Sequence, residues 1–298
     1  MASPHFLREE LTLSRTFIPS LPPTFLSRKH LFPLIDSGAP ASTLVIAPAG
    51  YGKTTLVAEW AEENRDRVIW LSLTESDSLQ EMSQLFIQAT RNVIPGFGGW
   101  FEELAPMKAR DVVSKWSEDL QKMGREFIFV LDNSRNDYEN DVNIANSLIH
   151  LFPSNIHFVA IRRTPIDSLT SILIARGSVN QVLARDLQFN EDEITTIASN
   201  LNLDLTDVTT KRVALSVKGW PSATSLILHQ LKEGKDPSEL MKVATLQASP
   251  LITLARLTLQ GLDNRTHETL KRLSIAENFS HEEAKVILKD LYSYELIS

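Results

Sequence analysis

Cysteine is absent from the 298 residues, which excludes a disulfide framework, a thiolate metal site and a thiol nucleophile. Long apolar runs are absent as well: the longest, such as Phe127 to Leu131, stop at five or six residues, far below the roughly 18 that a membrane span requires. Arg8, Glu9 and Glu10 stand where an export signal would carry its apolar core, so the sequence reads as soluble, cytoplasmic and without membrane contact. There is no basic run, and 30 Lys+Arg against 37 Asp+Glu leave a net charge of −7, the wrong sign for a nonspecific nucleic-acid binder. His267-Glu268 and His281-Glu282 lack the second histidine of a zinc helix, and no G-x-S-x-G turn occurs. Trp60, Trp70, Trp100, Trp116 and Trp220 are too dispersed for a base-stacking platform and are expected in cores or interfaces. What remains, 43% hydrophobic and 22% charged residues, is globular composition with room for about two domains and a small third.

Pro19, Pro22 and Pro23 make the first 27 residues an extended lead rather than a helix, with a short helix expected from Arg28. Ser42 to Ala47 then reads as a strand, Pro48 to Gly52 as a glycine loop and Thr54 to Glu62 as a helix. The alternation continues with strands Val68–Leu73, Phe127–Leu131, Ile156–Ile161 and Val179–Leu183. Helices are expected at Leu79–Val93, Lys108–Met123 and Val142–Leu151. Short, nearly continuous apolar runs alternating with helices predict an α/β fold: a parallel sheet covered on both faces and wound by right-handed crossovers. From Glu191 onward only helices are expected, at 191–200, 207–217, 222–231 and around Leu254, Leu270 and Val286. The chain stops at Ile297-Ser298 without a clear domain end, as expected of a piece of something longer.

Chemistry concentrates in Ala47-Pro48-Ala49-Gly50-Tyr51-Gly52-Lys53-Thr54-Thr55. Glycines let backbone N–H groups turn onto phosphate oxygens, Lys53 can reach the β and γ phosphates, and Thr54 can ligate Mg²⁺. The strict pattern G-x-x-x-x-G-K-[ST] fails at its first position, Ala47, and Gly-Lys-Thr alone is weak; the strand before and the helix after it give the signal its weight. A phosphate loop needs a carboxylate on a second strand, and Asp132 follows five apolar residues. Alone it reads as a turn residue or helix cap; with the loop it reads as the partner of Thr54 at a metal. Asn133 stands where many ATPases carry a second acid, and an amide cannot act as a general base, so hydrolysis is expected to be slow or absent. Arg162-Arg163 ends a strand, at the sheet edge where ligands of doubly wound folds bind, and is either a solvated pair or a γ-phosphate sensor.

In order, this phosphate loop, Val68–Leu73, Phe127–Asp132, His157–Thr164, Ala175-Arg176-Gly177, Asp186–Phe189 and Gly219-Trp220-Pro221 resemble the N-terminal half of MalT-like, LuxR-type regulators. These are STAND-class P-loop ATPases, and the match runs from about Pro19 to the end. The resemblance implies an ATP/ADP-binding switch in which a nucleotide domain, a helical domain and a winged helix clamp ADP at rest. It implies Mg²⁺ at Thr54 and Asp132, phosphate on Ala49 to Thr55 with Lys53, and Arg163 as sensor. Pro221 would lie against adenine, and Arg28 would help hold nucleotide. It further implies self-association in the ATP state and DNA reading only through a C-terminal domain beyond this chain. Where the family commonly has Asp-Asp this chain has Asp132-Asn133, and Arg162 replaces a small hydroxyl residue, so the two arginines are alternatives for the sensor role. The expected layout is a lead and first helix (1–40), a P-loop domain (41–189), a helical domain (190–248) and the start of a winged helix (249–298). Two other readings stay open: a turnover P-loop ATPase or kinase whose helical domain binds substrate, and a nucleotide-independent scaffold.

Overall fold

The structure, a computed structural model, describes residues 14–23, 25–36, 42–74, 79–103, 109–133, 154–163, 179–236 and 264–273. Its centre is a parallel sheet of β1 (Ser42–Ile46), β2 (Val68–Leu73), β3 (Phe127–Asn133), β4 (Ile156–Arg162) and β5 (Val179–Leu183), in the order β2-β3-β4-β1-β5. Preceding it, a 3₁₀ turn at Lys29–Leu31 runs into α1 (Phe32–Ile35). Between strands lie α2 (Lys53–Glu62), α3 (Leu79–Arg91), α4 (Trp100–Glu103) and α5 (Ala109–Lys122). The expected strands are all present; β3 runs two residues further than its apolar run, through Asp132 and Asn133. The short helix α4 was not foreseen, and the helix expected at 142–151 falls outside the described residues.

Side chains of a strand alternate between the two faces of the sheet, and the cores follow that alternation. Leu44, Ile69, Leu71, Phe127, Phe129 and Ala160 pack under α3 and α5. Their neighbours Val45, Val68, Trp70, Ile128, Val130, Val159 and Ile161 pack under α2. On the first face Phe129 stacks on Phe86 at 4.9 Å and meets Trp116 edge-on at 5.5 Å. The crossover from β1 to β2 travels toward one edge of the sheet and that from β4 to β5 toward the other. The direction of winding therefore reverses beside β1, where doubly wound folds bind ligands.

On the α2 face His157 is 3% exposed. Thr43 Oγ1 donates to Ile35 O at 3.0 Å and lies 3.1 Å from His157 Nε2; its one proton being used, the hydroxyl accepts from Nε2–H, which selects the Nε2–H tautomer of the neutral ring. Burial pushes this histidine down to about 4, below the ordinary value near 6.5. The unfolded chain therefore binds the extra proton first as pH falls, and stability is present above pH 6.5 and lost between 6.5 and 4, by up to roughly 3 kcal/mol. Urea midpoints measured from pH 7 to 4 are expected to fall steeply in that window, and His157→Gln is expected to flatten the slope.

After α6 (Ala184–Leu187), itself not foreseen, come α7 (Glu191–Asn200), α8 (Asp207–Val217) and α9 (Pro221–Lys232). Asn190 Oδ1 accepts from Glu193 N and Glu193 Oε2 accepts from Asn190 N, a reciprocal cap that starts α7. Thr206 caps α8 in one direction, its Oγ1 accepting from Thr209 N. Lys218 and Gly219 both have positive φ, 50° and 68°, which ends α8 and turns the chain into α9 with Pro221 at its first position. The three helices share a core of Ile194, Ile197, Val213, Ile227 and Leu228.

The lead forms a strap. Arg15 covers the edge strand β2, where Ser72 N donates to Arg15 O and Arg15 Nε donates to Ser72 O. Ile18 and Leu21 then join the α2-face core, and Leu26 joins the helical core. The chain divides into two compact units, Met1–Thr245 and Leu246–Ser298. In the second, α10 (Asn264–Leu273) is the described element; the other expected helices and the winged helix fall outside the described residues.

Candidate functional site

β1 hands the chain to the glycine loop. Ala47 N still bonds to Arg162 O at 3.3 Å, after which Gly50 and Gly52 take φ of 78° and 73°, a region that favours glycine. Gly52 is the N-cap of α2 and brings no side-chain cap. The first N–H groups of α2 are thereby left for a ligand at the positive end of the helix. A Cβ on Gly52 would meet nothing within 4 Å, so the loop opens on free space.

Around that space lies a cavity of about 400 Å³ lined by Ala49, Gly50, Gly52, Lys53, Thr54 and Thr55 from loop and helix, with Asp132 from β3 and Arg163 after β4. Strand parity decides the last two. Ile128, Val130 and Asp132 share one face of β3, and Val159, Ile161 and Arg163 follow one face of β4, the α2 face in both cases. Arg162, the alternative sensor, is 5% exposed within β4 and does not line the cavity. Thr54 Oγ1 donates to Asp132 Oδ2 at 2.8 Å, joining the two metal-ligand candidates. Burial raises the Asp132 carboxyl, and the Thr54 hydroxyl, Lys53 and Arg163 pull it back down. Lys53 Nζ donates to Pro48 O at 2.9 Å; burial lowers its ammonium to about 8, opposed by Asp132 and helped by Arg163. Among the described residues there is no cluster of three metal-ligating side chains. One hydroxyl and one carboxylate suit Mg²⁺, which draws its other ligands from phosphates and water.

Not every sequence candidate reaches the cavity. Tyr51 packs against the α2-face core, and Pro221 is buried as the first residue of α9. Arg28 is not among the residues that line this cavity. Its Nε donates to Glu193 Oε1 at 2.7 Å, Nη1 to Leu187 O at 2.8 Å and Nη2 to Gln188 O at 3.0 Å. The guanidinium also covers the Phe189 ring at 5.2 Å, and Arg28 N bonds to Glu59 of α2. With its donors taken up in this way, it ties the lead to α2 and to the entry of the helical layer.

Gly219-Trp220-Pro221 stood out as a motif, but the particular bonds made around it, and Ser222, were not foreseen. Trp220 Nε1 donates to Ala49 O at 3.1 Å and Ser222 N donates to Gly50 O at 3.0 Å. A Cβ on Gly50 would come within 2.8 Å of Ser222 Oγ and 2.9 Å of Trp220 Nε1. The start of α9 therefore rests directly on the phosphate-loop backbone. Gly219 backs this contact, since its carbonyl accepts from Phe189 N at 2.8 Å and a Cβ would strike Phe189 O. Ser72, Leu73 and Ile161 also line the cavity and were not singled out from sequence.

The fold is that of a P-loop NTPase. Among solved structures it resembles a STAND protein with a tetratricopeptide repeat sensor from Pyrococcus horikoshii, with a TM-score of 0.56 and 17% identity over 89% of this chain and 37% of that one. It also resembles a Walker-type ATPase of Pyrococcus abyssi, with a TM-score of 0.51 and 15% identity over 88% and 87%. By sequence it is similar to the HTH-type transcriptional regulator MalT of Yersinia enterocolitica, 25% identical over 252 residues, 80% of this chain and 27% of the regulator. It is likewise similar to the serine/threonine-protein kinase PknK of Mycobacterium tuberculosis, 26% identical over 249 residues, 78% of this chain and 22% of the kinase. The chain thus spans about a quarter of the length of these curated relatives. No protein-family model matches it. No helix among the described residues is long and apolar enough to cross a membrane.

Proposed function

We propose that this chain is the nucleotide-binding switch module of a signal-responsive transcriptional regulator, with ATP or ADP and Mg²⁺ in the cavity and nucleotide state setting domain arrangement and self-association. The observation that carries this reading is the seating of α9 on the loop that would hold phosphates. A ligand can shift an equilibrium only through unequal affinity for its two states, and here one loop serves both the phosphates and the helical layer. In the closed form the loop's carbonyls at 49 and 50 hold Trp220 and Ser222. Lys53 and the α2 amides bind phosphate, Thr54 and Asp132 orient the metal shell, and Arg163 faces the terminal phosphate. Bound Mg²⁺ neutralises phosphate charge. Pro221 sets where α9 begins, and Arg28 maintains closure from the far side of α2.

The test is to purify the chain without added nucleotide, denature it and identify what is released. Near-stoichiometric ADP supports a resting switch. Sedimentation velocity with ADP and with a non-hydrolysable ATP analogue then reads self-association, and identical profiles would remove the switch. Sustained phosphate release over many turnovers, abolished by Asp132→Ala, would instead favour a turnover ATPase.

Gly50→Ala separates loop from latch. The positive φ and the 2.8 Å approach to Ser222 Oγ oppose a Cβ on two independent grounds. We expect the variant to keep the sheet's unfolding transition while the segment between α6 and α9 becomes at least tenfold more sensitive to limited proteolysis. Unchanged cleavage would show that the contact does not hold the helical layer.

A further inference from the structure

We propose that Ser72 is a further ligand-binding residue of this cavity, a fixed hydroxyl donor to an oxygen acceptor of the Mg²⁺–nucleotide beside Asp132. The inference rests on the nucleotide reading above and adds to it the one polar side chain of β2, Val-Ile-Trp-Leu-Ser-Leu. Residue 72 pairs in register with Asp132, which pairs in turn with Ile161. Ser72, Asp132 and Ile161 thus form one row across three adjacent strands, and all three line the cavity.

Three bonds hold Ser72 in place. Its backbone N–H and carbonyl are both engaged by Arg15 of the strap. Its Oγ accepts from Trp70 Nε1 at 2.9 Å, and Trp70 is 1% exposed in the α2-face core. An indole N–H only donates, so this bond takes up an acceptor lone pair of the hydroxyl and leaves its single proton to be given elsewhere. No other bond of the Ser72 hydroxyl is found among the described residues. A donor fixed in this way next to the carboxylate that would face a magnesium shell matches a phosphate oxygen of the nucleotide.

The test compares wild type, Ser72→Ala and Ser72→Thr, which keeps the donor. Affinities are measured for ADP and for a non-hydrolysable ATP analogue, each with Mg²⁺ and with EDTA. A hydrogen bond to a charged acceptor corresponds to a loss of about tenfold or more. We expect Ser72→Ala to show that loss and Ser72→Thr to recover most of it. Loss confined to the Mg²⁺ arms assigns the acceptor as a phosphate oxygen brought into reach only when the metal is bound. Loss confined to the ATP analogue, with or without Mg²⁺, assigns it as the terminal phosphate. Equal affinity in all arms, or an equal loss in all arms, overturns the proposal, the latter because it reports only the unpaired Trp70 indole. Failure of the wild type to bind any nucleotide would overturn the nucleotide reading itself. If Ser72→Ala does not fold, Ser72→Cys keeps a group in place while weakening the donor, and the same losses are expected from it.

Discussion

Lys53→Met is expected to remove nucleotide binding, with a dissociation constant raised at least 100-fold. Lys53 is the ammonium of the cavity, held by Pro48 O at 2.9 Å and so poised over the loop that presents the α2 amides. Wild-type protein at about 100 times its dissociation constant for ADP should gain roughly 2.7 kcal/mol of stability, and the variant should gain none. Thermal unfolding with and without ADP reads both. The pH dependence follows from the lowered ammonium. With a folded value of about 8 against an ordinary value near 10.4, free protein carries a partly neutral lysine above pH 8, whereas bound phosphates require the charged form. Affinity should therefore fall about tenfold per unit above pH 8. In the unliganded protein the sign is opposite: the unfolded chain holds the extra proton between about 8 and 10.4, so this group's contribution to stability rises with pH there. Unliganded Lys53→Met should accordingly be no less stable than wild type. A variant that still gains stability from ADP would remove Lys53 from the site.

Arg28→Ala is expected to produce the largest loss of stability, about 3–5 kcal/mol, because it breaks a buried pair and leaves a carboxylate without its partner. Arg28 and Glu193 are each 8% exposed. His30 Nε2 also lies 3.7 Å from Glu193 Oε1, but its side chain is 58% exposed, where solvent screens the contact. The carbonyls of Leu187 and Gln188 lose their donors in the same step. Arg28→Lys should rescue little, since one ammonium cannot replace a planar fork that meets a carboxylate and two carbonyls together. Urea midpoints of the single variants, Glu193→Gln and the double variant close a cycle, and additive losses would mean that the pair is not coupled. Nucleotide affinity should weaken through loss of closure, not through loss of a contact.

Strands β1 to β4 were legible because each is largely a short apolar run that ends where polarity returns, whereas β5, Val-Asn-Gln-Val-Leu, is carried by its β-branched ends. The cavity's main residues were legible because phosphate chemistry fixes spacing within one loop. Asp132 was found by its apolar run, and the same periodicity, carried to the strand on either side, singles out Ser72 and chooses Arg163 over Arg162. Alternation by two assigns each residue to a face before any fold is known. The contacts of Arg28 were not legible because its partner Glu193 is 165 residues away, and nothing local to either residue encodes that pairing. Trp220 was foreseen as a core or interface residue, but which carbonyl its indole meets depends on how α9 is aimed by Lys218 and Gly219. The short helices α4 and α6, four residues each, are too brief for a helical period to register.

The bond between Arg28 and Glu193 also orders the biosynthesis of this chain. Arg28 leaves the ribosome 165 residues ahead of its partner, which at about 5–20 residues per second is a delay of roughly ten to thirty seconds. During that interval the sheet strands β1 to β4 can assemble, while the guanidinium that will be buried has only water to bind. The element translated early is fastened late, so the nascent chain must complete α7 before the strap can close over α2.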